Sequence, residues 1–379
     1  MSLGTKILWV VEFAVVFAAL FAVQIPLRKK NHPVINTIVF AVKVFLILLM
    51  PVLFIYVDNW FTYRCADLIA AIDIALIAEV SASIIEFVVR VVKQKKDKDT
   101  EKRPCDMKLI AVLGAILCVC IALYGSINAR HVIMNEHTWT AKGLKQPHTF
   151  AFAADIHAEN SHSVKNLINF KDQVNQVQPE FVILGGDVTD EKTSYEDMVN
   201  AWKVISEINV PVYFVYGNHD HQPDARIFGG RTYTDEQLVE AIEGAGVTIL
   251  SDEFVKVADD LILLGRDDIS MGNERKSWPE LVNPYEGEGA VIVADHQPHD
   301  DEQLMNEQVA IQLSGHLHAG QLWPLQSICR VLNMPVLGIF QEPDAKLYVT
   351  SGLGDWAIPF RTESNSAWEL ITMVPEQGQ

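Results

Sequence analysis

Five times between residues 149 and 318, a short apolar run breaks off into a motif of Asp, His, Asn and Gly. Thr149–Ala154 runs into Asp155-Ile156-His157, Phe181–Leu184 into Gly185-Gly186-Asp187, and Val212–Tyr216 into Gly217-Asn218-His219-Asp220. Ala290–Ala294 precedes Asp295-His296-Gln297-Pro298, and Val309–Leu313 precedes Gly315-His316-Leu317-His318. Runs of this length, rich in β-branched and aromatic residues and closed by Gly or Asp, read as buried strands. Helical patterns lie between them near Val164–Val177, Tyr195–Ile208 and Asp235–Gly244, the last closed by glycine. Further strands are expected at Val247–Leu250, Phe254–Val257, Leu261–Leu264 and Leu347–Thr350. Helices packed on two apolar sheets give an α/β sandwich. Ligand sites in such sheets form at the carboxyl ends of the strands, where every one of these motifs sits. One shared site is expected.

Charge divides the chain in two. Residues 1–147 carry 17 Lys+Arg against 11 Asp+Glu, a net of +6, whereas residues 148–379 carry 13 against 37, a net of −24. So acidic a half is a poor match for a nucleic-acid backbone, which needs clustered Lys and Arg. The basic half holds four apolar stretches, approximately 7–27, 34–57, 66–92 and 109–129, and a bilayer core needs roughly 20 residues. A membrane region over 1–130 with about four spans is therefore expected, then a connector over 131–147 and a globular domain over 148–379. The first stretch has only Lys6 ahead of it, Arg28-Lys29-Lys30 behind it and no small-x-small site, so it does not read as a cleavable signal peptide.

Basic residues concentrate in the loops after the first and third stretches, including Lys93, Lys95, Lys96, Lys98, Lys102 and Arg103. The positive-inside rule puts those loops in the cytoplasm. Four spans then place the acidic domain on the extracytoplasmic side of a cell membrane, a conclusion that losing one span would invert. The five cysteines do not form a disulfide scaffold: Cys118 and Cys120 lie in the fourth stretch, Cys105 in a basic loop, and Cys329 alone belongs to the acidic domain. A Cys65–Cys329 bridge is the one remaining pairing to be weighed.

Asp, His and Asn together supply the mixed oxygen and nitrogen donors that suit Mn, Fe, Zn or Co. For two ions to sit about 3.5–4 Å apart, the spacing useful for phosphoryl chemistry, one carboxylate must bridge them. Asp187 suits that role because the adjacent glycines allow close backbone approach. Asn218 offers a neutral amide oxygen, and His296, His316 and His318 offer imidazoles. His316 and His318 are two apart, so an extended strand would point both the same way, while a turn would split them between ions.

This ordered set is similar to that of the calcineurin-like metallophosphoesterases over about 148–372. It resembles most their membrane-associated bacterial branch, through Gly320-Gln321 after the second histidine and Tyr348-Val349-Thr350-Ser351-Gly352-Leu353-Gly354 later. The resemblance implies a four-layer α/β/β/α metallophosphoesterase sandwich and a two-metal site. One ion would be held by Asp155, His157, Asp187 and His318, and the other by Asp187, Asn218, His296 and His316. His219 would contact the phosphoryl group and protonate the leaving oxygen, and Asp220 would orient its imidazole and keep it charged. A hydroxide made acidic by the ions would attack phosphorus in line, without a covalent intermediate. Two departures stand out: Ala158-Glu159-Asn160 follows the first motif where the branch has an apolar residue and glycine, and Ala319 replaces a common glycine.

Other residues carry alternatives. Asp190 reads as a neighbour of the ligands or a loop cap, and His162, His221 and His299 read as solvated neighbours. Asp67, Asp73, Glu79 and Glu86 lie in the third apolar stretch, Glu12 in the first and Lys43 in the second. Pairing within the bundle, for example Lys43 with Glu79, competes with a lipid-headgroup or ion pathway. The apolar segment Leu322–Phe340 is either a buried hairpin or a membrane-facing lip. The expected activity is hydrolysis of a phosphoester or pyrophosphate bond in a lipid-linked substrate, with membrane lipid as a partner. Phosphodiesterase action on a soluble nucleotide is the enzymatic alternative. A receptor or transport component with a merely binding domain is the other, and His219 speaks against it because binding needs no general acid.

Overall fold

The computed structural model describes residues 16–18, 20–21, 33–56, 63–97, 106–159, 161–190, 193–221, 232–298, 309–342 and 345–376. Most of the first apolar stretch, Glu12 and His299 lie outside them. The chain divides into two compact units, Met1–Ile127 with Leu322–Ile328, and Asn128–Gln321 with Cys329–Gln379.

The first unit contains α1 (Pro33–Tyr56), α2 (Tyr63–Asp97) and α3 (Met107–Asn128). Among the described residues, two helices are long and apolar enough to cross a membrane, over Leu68–Gln94 and Met107–Asn128, and Asn36–Met50 is a shorter apolar helix. These two helices coincide with the third and fourth expected spans and the shorter one lies within the second, while most of the first lies outside the described residues. In α2, Ala70, Ala71, Ala75, Ala78 and Ala82 are buried, small side chains that let helix backbones approach closely. The expected ion pair is present: Lys43 Nζ of α1 meets Glu79 Oε1 of α2 at 2.5 Å, both almost fully buried. Asp73 and Glu86 are buried as well, and Glu86 accepts the Asp106 N–H at 3.0 Å just before α3.

The second unit is built on two six-stranded sheets. Its strands are β1 (Val132–Ala141), β2 (His148–Ala153), β3 (Val182–Leu184), β4 (Val212–Phe214), β5 (Thr248–Ile249), β6 (Glu253–Ala258), β7 (Leu261–Gly265), β8 (Ala290–Ala294), β9 (Val309–Ser314), β10 (Gly338–Glu342), β11 (Ala345–Val349) and β12 (Ser366–Pro375). The first sheet runs β1-β12-β2-β3-β4-β5 and the second β10-β11-β9-β8-β7-β6. Strands β2, β3, β4 and β5 are parallel, as are β11, β9, β8 and β7. The stretch 131–147 is therefore not a connector. Ten of its residues form β1, paired in parallel with β12 from Val132–Ser366 to Ala141–Pro375.

Helices α4 (Ser161–Val177), α5 (Tyr195–Ile205) and α7 (Asp235–Gly244) belong to this unit, with the one-turn α6 (Asn218–His221) between the last two. Ser194 caps α5 and Thr234 caps α7 through a reciprocal box with Gln237, so both start where the sequence offers a hydroxyl. Leu167, Phe170, Met198, Trp202, Leu238 and Ile242 of these helices share a core with Ala151, Val182 and Phe214 of the first sheet. Between the sheets, Phe150, Phe152 and Ile183 pack with Leu261, Leu263, Ile292 and Ile311. Over the outer face of the second sheet, Phe254, Trp278, Leu281 and Tyr285 pack on Ile262, Leu264 and Val291. The segment there makes 3-10 turns at Ile269–Glu274 and Trp278–Glu280. This is a two-sheet α/β sandwich, with one further short helix, Leu325–Val331, between β9 and β10 in the chain. The strands end together, and β2, β3, β4, β8 and β9 each release one motif there.

Candidate metal centre

The loops after β2 and β3 are stitched by their backbones. Asp155 N donates to Gly186 O at 3.0 Å, and Ile156 and His157 donate to Asp187 O at 2.8 and 3.0 Å. This stitching is accompanied by unusual dihedrals. Asp155 (φ 56°), His157 (46°), Asp187 (53°), His316 (72°) and His318 (47°) all adopt left-handed backbone. Each such residue without glycine's freedom costs of order 1–3 kcal/mol and persists only where surrounding contacts over-determine it. Ala319 joins them at 51°, which explains why glycine is common at its position. Two glycines are required by contact: a Cβ on Gly217 would collide with the Asp187 carboxylate, and one on Gly354 with Ile156 O.

These loops bring the expected side chains together as two donor groups. Asp155, His157 and His318 form one, and Asp187, His296 and His316 the other, with the donor atoms in each within 4.8 Å of one another. His157 Nε2 lies 3.1 Å from His318 Nε2, and His318 Nε2 lies 3.7 Å from Asp155 Oδ1. Asp187 faces both groups, its Oδ2 being 2.9 Å from His296 Nε2 and 3.9 Å from His157 Nε2. The histidine pair is split by a turn, His316 going to one group and His318 to the other. Asn218 Oδ1 is buried without a hydrogen-bond partner, and the buried His296 Nε2 has only the Asp187 carboxylate, at 2.9 Å, facing it. Buried donor atoms left unsatisfied are costly, and a cation satisfies an amide oxygen and an imidazole nitrogen at once. The residues fit a pair of divalent ions.

Electrostatics agree with that fit. Burial pushes the Asp187 carboxyl up, but the positive charges of His296, His219 and His157 outweigh it and hold it well below the usual range. Burial disfavours charge on His296, yet Asp187 beside it raises that imidazole to about 10. His157 rises to about 9 against burial because Asp190 accepts its proton and sits beside it. His318 goes well below its ordinary value, through burial and the positive charges of His157 and Arg361.

Backbone and side-chain contacts orient the donors. His296 Nδ1 meets Gly185 O at 2.8 Å, and His157 Nδ1 meets Asp190 Oδ2 at 2.8 Å. Both leave Nε2 for the centre. His219 is mostly buried, its backbone N–H donating to Asp187 Oδ1 at 2.9 Å and its ring Nδ1 lying 3.8 Å from Asp190 Oδ1. The expectation that Asp220 orients His219 is not met. The Asp220 carboxylate turns to the other side and accepts from Asp187 N, Thr189 N, Thr189 Oγ1 and Gly217 N at 2.7–3.0 Å. A buried carboxylate needs several donors, and the backbone there supplies them.

Several residues that matter lie outside the motif list. Asp190 follows Asp187 by three positions, and that spacing was the one available signal. His162 is not a solvated neighbour: it is buried with Nε2 at 3.1 Å from Asp355 Oδ2. His221 pairs with Asp267 at 2.6 Å and stacks on Tyr216. Gln321 donates to Trp356 O and Ile358 O and accepts from Trp356 N, which gives that motif glutamine its purpose. Cys329 is a free, buried thiol.

Residues 148–320 match the family model of calcineurin-like phosphoesterases. The chain carries a calcineurin-like phosphoesterase domain. Among curated relatives, a transmembrane protein with metallophosphoesterase domain from Danio rerio is 27% identical over 70% of this chain and 63% of its own length. An uncharacterized metallophosphoesterase from Helicobacter pylori (strain ATCC 700392 / 26695) is 26% identical over 54% of each chain. The chain thus spans rather more than half the length of these relatives. Among solved structures, a dimetal phosphatase from Danio rerio aligns with 55% of this chain and 88% of its own, with 13% identity and a TM-score of 0.36. The phosphoesterase domain matched by the family model covers all the motifs through His318.

Proposed function

We propose that this chain is a membrane-anchored, binuclear metal-dependent phosphohydrolase whose substrate is a lipid-linked phosphate or pyrophosphate on the extracytoplasmic side. The observation that carries the reaction class is the convergence of two donor groups on Asp187, beside a buried amide oxygen of Asn218 with no other partner. Asp155, His157, Asp187 and His318 would hold one ion, and Asp187, Asn218, His296 and His316 would hold the other. When bound, such a pair supplies a nucleophilic hydroxide at neutral pH and charge neutralisation on the phosphoryl oxygens.

The protein's own groups do the rest. Asp187 sits between the two donor groups, and the backbone N–H of His219 on one of its oxygens holds that carboxylate's orientation. Asp190, close to His219 Nδ1, favours a proton on that nitrogen and lets the ring act as general acid toward the leaving oxygen. Burial of the carboxylates keeps water from screening these charges.

Three features support the location and the substrate class. Two helices have the length and apolarity of membrane spans, and basic loops flank the first and third apolar stretches. Next to the second histidine motif, Val331, Leu332, Met334 and Ile339 are exposed, as a surface meeting lipid is. The test is a panel of phosphorylated lipids and soluble nucleotides offered to the metal-loaded full-length protein in nanodiscs. Turnover of a lipid phosphate that metal chelation abolishes is expected. Turnover confined to soluble substrates would remove the lipid assignment, and no metal-dependent turnover of any phosphoester would remove the reaction class.

A further inference from the structure

Arg361 is fully buried, although no motif contains it. Its guanidinium lies directly behind the His318 turn. Nη1 donates to Ser351 O at 2.8 Å, to Asn365 O at 3.3 Å and to His318 O at 3.4 Å. Nη2 donates to Gly354 O and lies 3.3 Å from His318 Nδ1. Nε pairs with Asp355 Oδ1 at 2.5 Å, and the other oxygen of Asp355 takes His162 Nε2. Ser364 Oγ is 3.1 Å from Nη1 and itself donates to His318 O at 3.2 Å. One planar fork thus ties the histidine turn to the segment 351–354.

That segment in turn holds the first motif. Leu353 N donates to Ala154 O at 2.9 Å and Gly354 N to Asp155 O at 2.7 Å. Arg361 therefore stands behind two of the three residues of one donor group, Asp155 and His318. Both have left-handed backbone, and so does Ala319. Strain of this kind lasts only where other contacts hold it; the guanidinium contacts His318 directly, through its carbonyl and Nδ1, and reaches Asp155 through the 351–354 segment that it ties down. Arginine suits the task because its five donors have fixed directions, which a lysine ammonium cannot match.

We infer that Arg361 is a positioning residue for the metal position formed by Asp155, His157 and His318, holding the strained His318–Ala319 turn and the Asp155 loop in ligating geometry. The inference rests on the two-metal reading of the centre, and it makes the two positions unequal in their dependence on this one side chain. Arg361→Lys keeps the charge and loses the fork. Loss of the contacts that orient ligands typically costs 10–100-fold in metal affinity.

The experiment is a Mn²⁺ titration of the metal-free full-length protein, followed calorimetrically and by electron paramagnetic resonance. Wild type is expected to bind two ions and give a spin-coupled pair. Arg361→Lys is expected to bind one ion within about twofold of wild-type affinity and the second about 10–100-fold more weakly, with an uncoupled signal at two equivalents. Ser364→Ala, which removes a single donor to His318 O, is expected to shift the same step in the same direction by a smaller factor, and it serves if the arginine variant does not fold. Two wild-type-like steps in the variants overturn the inference, as does equal weakening of both steps with a lowered melting temperature. A wild-type protein that binds fewer than two ions instead removes the two-metal reading.

Discussion

The Asp190 carboxylate serves two histidines, with Oδ2 2.8 Å from His157 Nδ1 and Oδ1 3.8 Å from His219 Nδ1. It connects a metal-donor ring to the proposed general acid, whose own neighbour Asp220 looks elsewhere. Asp190→Asn keeps the shape and removes the charge. Its effect should appear in both roles: metal affinity at the His157 position falling about 10–100-fold, and kcat at saturating metal falling about 100-fold or more through the weakened acid. Metal titration and steady-state kinetics on the same variant separate the two. Unchanged kcat at saturating metal would remove Asp190 from the proton-transfer role.

Asp220 makes a different prediction. Its oxygens collect four donors from the Asp187, Thr189 and Gly217 positions, so Asp220→Asn sets an amide NH2 against a backbone N–H. An orphaned buried donor costs about 1–3 kcal/mol. The variant should unfold at lower denaturant or temperature, by about 1–3 kcal/mol, even without metal. An orienting role for His219 would instead alter the pH–rate profile and leave metal-free stability near wild type. Denaturant unfolding of the metal-free protein decides between them.

Why the sequence misplaced Asp220 follows from what sequence can display. The strands β2, β3, β4, β8 and β9 are short and buried on both faces, so they appear as continuous apolar runs, and the residues ending them were legible as a set. β1 was not, because only its two end residues are fully buried and its middle, Asn135-Glu136-His137-Thr138, is polar, leaving no apolar run, and it follows directly on α3. β12 hides a buried Glu369, which accepts from Thr350 Oγ1 and faces His137; such a residue breaks the apolar pattern of a strand. Three of the four donors to Asp220 are backbone N–H groups, two of them more than 30 residues away, and backbone donors carry no sequence signature. Arg361 was unreadable for the same reason, since most of its acceptors are carbonyl oxygens. Donor identity was legible; what orients the donors was written mostly in main chain.

Metal uptake should release protons. In the metal-free centre His157 is raised to about 9 and His296 to about 10, so both carry a proton at neutral pH that an ion must displace. Apparent metal affinity is expected to rise with pH from 6 to 9 and to level off above 10. Calorimetry in buffers of different ionisation heats should count at least two protons released per metal pair near pH 7, with any hydroxide formed on the ions adding to that number. The stability of the metal-free protein has the opposite slope. Both folded-state values lie above the unfolded value of about 6.5, so their contribution is complete below that pH and is lost as pH rises through 9 to 10. Release of no protons at neutral pH would show that the imidazoles are already neutral before the ions arrive.

The Lys43–Glu79 pair in the helical unit allows a last test, of whether intramembrane charge is structural. The two side chains meet at 2.5 Å and are nearly inaccessible to solvent, so removing either alone leaves a buried charge. Breaking one partner of such a pair costs about 3–5 kcal/mol, while replacing both by apolar groups of similar size is often close to neutral. Glu79→Leu and Lys43→Met are therefore each expected to lower the melting temperature in detergent, and the double variant to recover most of the loss. If the pair only holds α1 to α2, the double variant also keeps wild-type phosphohydrolase activity. A double variant that is stable but inactive would mean that this buried pair takes part in handling the substrate or an ion, because its packing role would have been fully replaced.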